Sequence, residues 1–212
     1  MVSPDQVAAR RQLLEQLRLE LLAAPELATY CGAKRPVCGE GNPAAGVVLV
    51  GEAPGGREDR LGRPFVGPAG QILAEALADA GIRRDEVWIT NVVKCRPTIE
   101  GVGGRLRNRT PTPAEVAWFR PWLLRELDIV RPRAIVCLGA TAGSGVLQRP
   151  VKITRERGTW VEGPGGTPTL VTYHPAYLLR RSEDRETRYA EFVADLRLAA
   201  ARAASGEGGG PG

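Results

Sequence analysis

Glu52, Asn91 and His174 each stand at or just beyond the end of a short apolar run, namely Val47-Val-Leu-Val-Gly51, Val87-Trp-Ile-Thr90 and Thr169-Leu-Val-Thr-Tyr173. A carboxylate, an amide and an imidazole offer hydrogen-bond acceptors, donors and a group that exchanges a proton near neutral pH. The first run opens into Gly51-Glu-Ala-Pro-Gly-Gly56, whose glycines let the backbone turn sharply and approach a ligand closely. If the runs are parallel strands, their carboxyl ends share one edge of a sheet, where open α/β sheets bind ligands. The three residues then converge on something polar.

The elements that must place them can be read along the chain. Ser3-Pro-Asp-Gln6 has the form of a capping box with proline at the first helical position, and Leu13, Leu14, Leu17, Leu21 and Leu22 continue a helix that Pro25 closes. Residues 28–46 look irregular. A helix from about 69 to 80 places Ile72, Leu73, Ala76 and Leu77 inward and stops at Gly81. Residues 94–111 read as a Gly-, Pro- and Arg-rich loop too polar for the core. Thr112-Pro-Ala-Glu115 caps a helix running toward Val130, which Pro121 is expected to kink or break.

Ala134-Ile-Val-Cys-Leu138 is a buried strand, a short helix follows near 141–147, and two strands flank Gly163-Pro-Gly-Gly166. A last helix, about 184–203, gathers Tyr189, Phe192, Val193 and Leu196 on one face. Strands alternating with helices predict a three-layer α/β/α sandwich around a central, mainly parallel four-stranded sheet. Residues 1–204 read as one domain and 205–212 as a disordered, glycine-rich tail.

Composition narrows the function classes. With 43% hydrophobic and 25% charged residues, the 212-residue chain has ordinary globular composition, no run of membrane-spanning length and no secretory leader, so a cytoplasmic protein is expected. The net charge of +5, carried almost wholly by arginine, is compatible with a polyanionic partner. Four cysteines are too scattered for a disulfide framework; Cys137 sits in a buried strand, while Cys31, Cys38 and Cys95 border turns and can bind metal.

Five stretches in order resemble the uracil-DNA glycosylase superfamily, and within it the family 4 enzymes. They are Gly51-Glu-Ala-Pro-Gly55, Gly62-Arg-Pro-Phe-Val-Gly67, Thr90-Asn-Val-Val-Lys-Cys-Arg-Pro97, Asn108-Arg-Thr-Pro111 and His174-Pro-Ala-Tyr-Leu-Leu-Arg180. The resemblance implies a monofunctional enzyme of base excision repair that flips deoxyuridine out of DNA and hydrolyses its N-glycosidic bond. Gly51, Phe65, Asn91 and His174 would hold the uracil: Phe65 by stacking, Asn91 by pairing with O4 and N3–H, and His174 by donating to O2. Glu52 and Glu58 are the candidate acids for the attacking water, without a decision between them. Tyr177, Leu178, Leu179 and Arg180 would enter the minor groove, and Arg105 and Arg107 in the preceding basic loop would grip the DNA backbone.

Family 4 members normally carry a [4Fe-4S] cluster on four cysteines. Cys31, Cys38 and Cys95 are the candidate ligands here, but the fourth is missing near Val116-Ala-Trp118, and Trp118 and its neighbours are expected to fill the space if the cluster is lost. The chemistry itself is expected to need no cofactor. The expected partner is DNA containing uracil, with no membrane and a monomeric state. Two rivals stay open: a superfamily member that binds uracil-DNA with little or no excision, and an unrelated α/β enzyme using the Gly51–Gly56 turn as an anion cradle.

Overall fold

A computed structural model describes residues 2–205. Of the expected tail, residues 205–212, Ser205 caps the last helix and residues 206–212 lie outside the described residues. The main sheet has six strands in the order β1-β3-β2-β6-β8-β7. These are β1 (Glu40–Gly41), β2 (Val47–Gly51), β3 (Trp88–Asn91), β6 (Ala134–Leu138), β7 (Trp160–Glu162) and β8 (Pro168–Thr172). The four central strands are parallel, as the sequence predicts; the short β1 and β7 pair antiparallel at the two edges and raise the count from the expected four to six.

Period-two alternation sorts the strand residues into two cores. Val48, Val50, Ile135 and Cys137 face one layer, made by α1 (Pro4–Ala23), α2 (Leu27–Cys31), α5 (Pro113–Val130) and α6 (Ala140–Leu147). Val47, Leu49, Ala134, Val136 and Leu138 face the other, made by α4 (Pro68–Asp79) and α8 (Arg185–Ala204). Burial on both faces explains why these strands read as continuous apolar runs. The short α3 (Gly56–Leu61) and α7 (Ile153–Glu156) complete the helices.

Both predicted capping boxes form, with Ser3 and Thr112 as caps. Pro121 does not end its helix: α5 runs unbroken from Pro113 to Val130, and the proline sits on its exposed side. A proline there removes one i→i−4 bond, and the flanking apolar contacts of Phe119 and Leu123 hold the helix against the sheet.

The segment after β3 also departs from expectation. Residues 98–108 form a separate antiparallel hairpin of β4 (Thr98–Glu100) and β5 (Leu106–Asn108). Ahead of it Lys94 and Cys95 are buried rather than looped into solvent. Lys94 Nζ donates to Glu126 Oε2 at 2.6 Å, to Thr90 Oγ1 at 2.6 Å and to the Asn91 carbonyl at 2.9 Å. Glu126, on α5, also accepts from Trp88 Nε1 and Thr90 Oγ1.

Removing one member of this network leaves the other charge buried and unpaired. Lys94→Met and Glu126→Gln are each expected to lower unfolding stability by roughly 3–5 kcal/mol, and Lys94→Met/Glu126→Leu by clearly less than the sum. Urea unfolding of the three variants measures this.

Candidate active site

Parallel register brings the strand ends together. Gly51, the last residue of β2, lies opposite Asn91, the last of β3, and Leu138 at the end of β6 lies opposite Thr172 at the end of β8. His174 follows two residues later and starts a 3-10 turn, Pro175–Leu179. Gly51 is required by crowding: a Cβ there would collide with Asn91 Oδ1 and with the Phe65 ring. The amide and the ring therefore lie against one backbone position. The Phe65 ring centroid is 6.1 Å from that of His174, so Gly51, Phe65, Asn91 and His174 lie close to one another at this edge.

Phe65 is nonetheless nearly buried, packed with the apolar layer under α4 and α8. Its backbone is left-handed, with φ of 50°, a strained state for an aromatic residue that persists only where its surroundings impose it. Glu58, on α3, imposes it. Its Oε1 accepts from the amides of Val66 at 3.1 Å and Gly67 at 2.7 Å. Gly70 supplies the remaining room, because a Cβ there would strike the Phe65 carbonyl.

Asn91 is 2% exposed. Its carbonyl is taken by Lys94, but among the described residues no protein group hydrogen-bonds its side-chain amide. No fully buried polar side-chain atom in the described structure lacks a partner, so the amide reaches what accessible surface remains at this edge. A buried strand end with an unclaimed donor and acceptor is built to meet a ligand.

His174 Nδ1 accepts from the Ala176 amide at 3.0 Å. That bond places the imidazole proton on Nε2. Burial pushes its pKa down to about 4, against a smaller upward pull from Glu58, so the ring is a neutral donor at neutral pH. Gly139, at φ 99°, lets the chain pass beneath it; a Cβ would sit 3.0 Å from that of His174.

The two acids separate by environment. Glu58 is buried and engaged by the Phe65 loop, whereas Glu52 is half-buried. Burial raises the Glu52 pKa, opposed by a hydrogen bond from Thr141 on α6. Thr141 was not evident from sequence, although the glycine that ends the apolar run, Gly139, marks the strand end it follows.

The expected DNA-contacting residues divide. Tyr177 and Leu179 are exposed, as are Arg180, Arg105 and Arg107, but Leu178 is 1% exposed and packs in the core under α4 and α8. The reason is the three-residue period of the 3-10 turn, which puts Pro175 and Leu178 on one inward face. Arg105 and Arg107 belong to the β4–β5 hairpin, anchored where Arg96 Nε donates to Asn108 Oδ1 and Arg109 pairs with Glu115.

Cys31, Cys38 and Cys95 are not brought together as a metal site. Cys31 and Cys95 are joined as a disulfide, while Cys38 is free and lines a cavity of about 260 Å³ with Leu14, Trp122, Lys94 and Glu126. Among the described residues no group of three His, Cys, Asp or Glu side chains is placed to hold a metal ion. The donor set does not fit a four-thiolate cluster. That cavity also shares none of the converging residues Gly51, Phe65, Asn91 and His174; it lies between α1 and α5, away from the strand ends.

Because His174 is the only histidine, its single imidazole signal can be followed by NMR. Its midpoint is expected near pH 4 rather than 6.5. The unfolded chain takes up this proton first, so the His174 contribution to stability falls as pH drops from about 6.5 toward 4. His174→Ala removes that part of the acid sensitivity.

The family model described as the uracil DNA glycosylase superfamily matches residues 38–197. The type-4 uracil-DNA glycosylase of Thermotoga maritima is 42% identical over 180 residues, covering 84% of this chain and 90% of that protein. The enzymes of the same name from Pyrobaculum aerophilum and Archaeoglobus fulgidus are 42% and 43% identical, over 78% and 74% of this chain and 82% and 78% of theirs.

Proposed function

The chain belongs to the uracil DNA glycosylase superfamily, and from that premise we propose that it is a monofunctional glycosylase that removes uracil from DNA by hydrolysis. The observation that carries this reading is the Asn91 side-chain amide, which faces the strand edge without a hydrogen-bond partner among the described residues, beside a neutral His174.

Uracil seated against Phe65 accepts at O4 from the Asn91 NH2 and donates N3–H to its Oδ1. Cytosine presents the reverse pattern at both atoms and leaves two buried groups unpaired, which penalises it by orders of magnitude. His174 Nε2–H donates to O2. As the glycosidic bond breaks, negative charge spreads over the ring, and a fixed donor strengthens as that charge grows. A neutral imidazole performs this across the physiological range without changing its charge.

Glu52 is assigned to the water that attacks C1′, and Glu58 to holding the Phe65 loop. Glu52 is half-buried and not committed to backbone amides, and its raised pKa suits an acceptor of the water's proton. Tyr177 and Leu179, rather than Leu178, enter the space left by the flipped base, with Arg180, Arg105 and Arg107 on phosphates. Strand cleavage through a lysine Schiff base is disfavoured: Lys94 Nζ is buried in three hydrogen bonds, and Lys34 Nζ is bound to the Arg96 carbonyl and Thr98. Uracil-containing DNA is the partner in this reading, and a monomer suffices. Among the described residues no helix is long and apolar enough to cross a membrane.

The test is uracil release from a labelled deoxyuridine oligonucleotide, followed by alkali and a denaturing gel. Wild type is expected to give breaks only after alkali, and Asn91→Ala and His174→Ala to slow release by about 100-fold or more. Binding without release would instead favour the binding-only superfamily member.

Excision is expected to rise with pH through a value above 4.5 as Glu52 ionises, and Glu52→Gln to lose that limb. Leu179→Ala should slow excision from duplex more than from single strands, since only the duplex needs its gap filled.

A further inference from the structure

We propose that a Cys31–Cys95 disulfide beside a packed aromatic plug takes the place of the iron-sulfur cluster that the sequence resemblance implies, so that the chain holds its fold without iron. The proposal stands apart from the assignment of activity. It rests on which donors the fold supplies and where it puts them.

Four thiolates are needed for a four-iron cluster, and the fold brings only two together. Cys31 and Cys95 are 4% and 1% exposed, with Cα atoms 5.3 Å apart, within the range a disulfide spans. Cys137 is enclosed in the central strand β6, and burial drives its thiol strongly toward the protonated form. Cys38 is free and borders the cavity between α1 and α5. Neither joins the pair, and among the described residues no group of three His, Cys, Asp or Glu side chains is placed to hold a metal ion.

The helix segment where a fourth cysteine is expected carries rings instead. Trp118 stacks on Tyr30, the neighbour of Cys31, with centroids 4.7 Å apart, and Phe119 meets Trp118 edge-on at 4.7 Å and Tyr30 at 6.2 Å. Phe119 is fully buried in the same core as both sulfurs. These side chains fill with apolar contacts the volume that a cluster and its ligands would otherwise claim.

The cross-link does structural duty. It joins the end of α2 to the chain four residues beyond Asn91, across a separation of 64 residues. The segment after Cys31 is tied to the same stretch again: Val37 N donates to the Lys94 carbonyl at 2.7 Å, and Lys34 Nζ to the Arg96 carbonyl and Thr98 Oγ1. Closing so long a loop removes much conformational freedom from the unfolded chain.

Formation balances as thiol–disulfide exchange while the chain folds. One cysteine thiolate attacks a small-molecule disulfide and releases one small thiol; the second thiolate then displaces the other. The net change converts two protein thiols and one small disulfide into the protein disulfide and two small thiols.

Full-length protein made with iron supplementation and purified in air is assayed for iron and for absorbance near 400 nm, then alkylated and digested without reductant. The expected result is no stoichiometric iron, no band, and a Cys31 peptide joined to the Cys95 peptide with the loss of two hydrogens. Thermal unfolding with dithiothreitol should show a Tm lower by roughly 5–15 °C. Cys31→Ser/Cys95→Ser should show no response to the reductant, and Cys38→Ser should respond like wild type. About four irons per chain with a 400 nm band would overturn the proposal, as would recovery of Cys31 and Cys95 only as alkylated thiols together with an unchanged Tm. The wild-type measurements decide it even if the serine variants fail to fold.

Discussion

The buried ion pair between Lys94 and Glu126 is the constraint around which the site is assembled. Desolvating both groups costs several kcal/mol each, which their attraction repays only if the geometry and remaining hydrogen bonds are good. Here they are: Glu126 also receives Trp88 and Thr90, and Lys94 also reaches Thr90 and the Asn91 carbonyl. Three residues of β3 and its exit, Trp88, Thr90 and Lys94, are thereby fixed to α5, and Asn91 is tied in through Lys94. Gly39 belongs to the same arrangement, since a Cβ at that position would run into Glu126 and Trp88.

With its carbonyl occupied on one side, Asn91 has its amide left for whatever enters at the strand edge. The other groups are set by similar trades. The left-handed Phe65 is strained, and Glu58 offsets that strain by capturing the two amides that follow it. His174 gives Nδ1 to the Ala176 amide and so keeps Nε2–H for a ligand. In the proposed pocket each polar side chain assigned to the uracil is held by a contact that leaves its other polar group free, which is how a site is preorganised on rigid elements.

Much of this was legible in the sequence because it rests on periodicity. Val47 to Val50 and Ala134 to Leu138 are buried on alternate faces of a parallel sheet, and apolar runs ending in polar residues located one edge. What could not be read depended on tertiary partners. Lys94 and Cys95 sit in a stretch whose composition suggests a solvated loop; only Glu126, 32 residues away, and Cys31 make their burial possible. The choice between Leu178 and Leu179 turned on a 3-10 rather than an α-helical period. The edge strand β1 is only two residues long and leaves no pattern to detect.

The central claim is that the edge formed by Gly51, Phe65, Asn91 and His174 is the uracil pocket. The most direct test is titration of free uracil into isotope-labelled protein, following side-chain signals by NMR. The account predicts shifts of the Asn91 NH2 and His174 Nε2–H signals with uracil and little change with cytosine. Equal responses to the two bases, or shifts confined to the cavity lined by Leu14, Trp122 and Cys38, would contradict it.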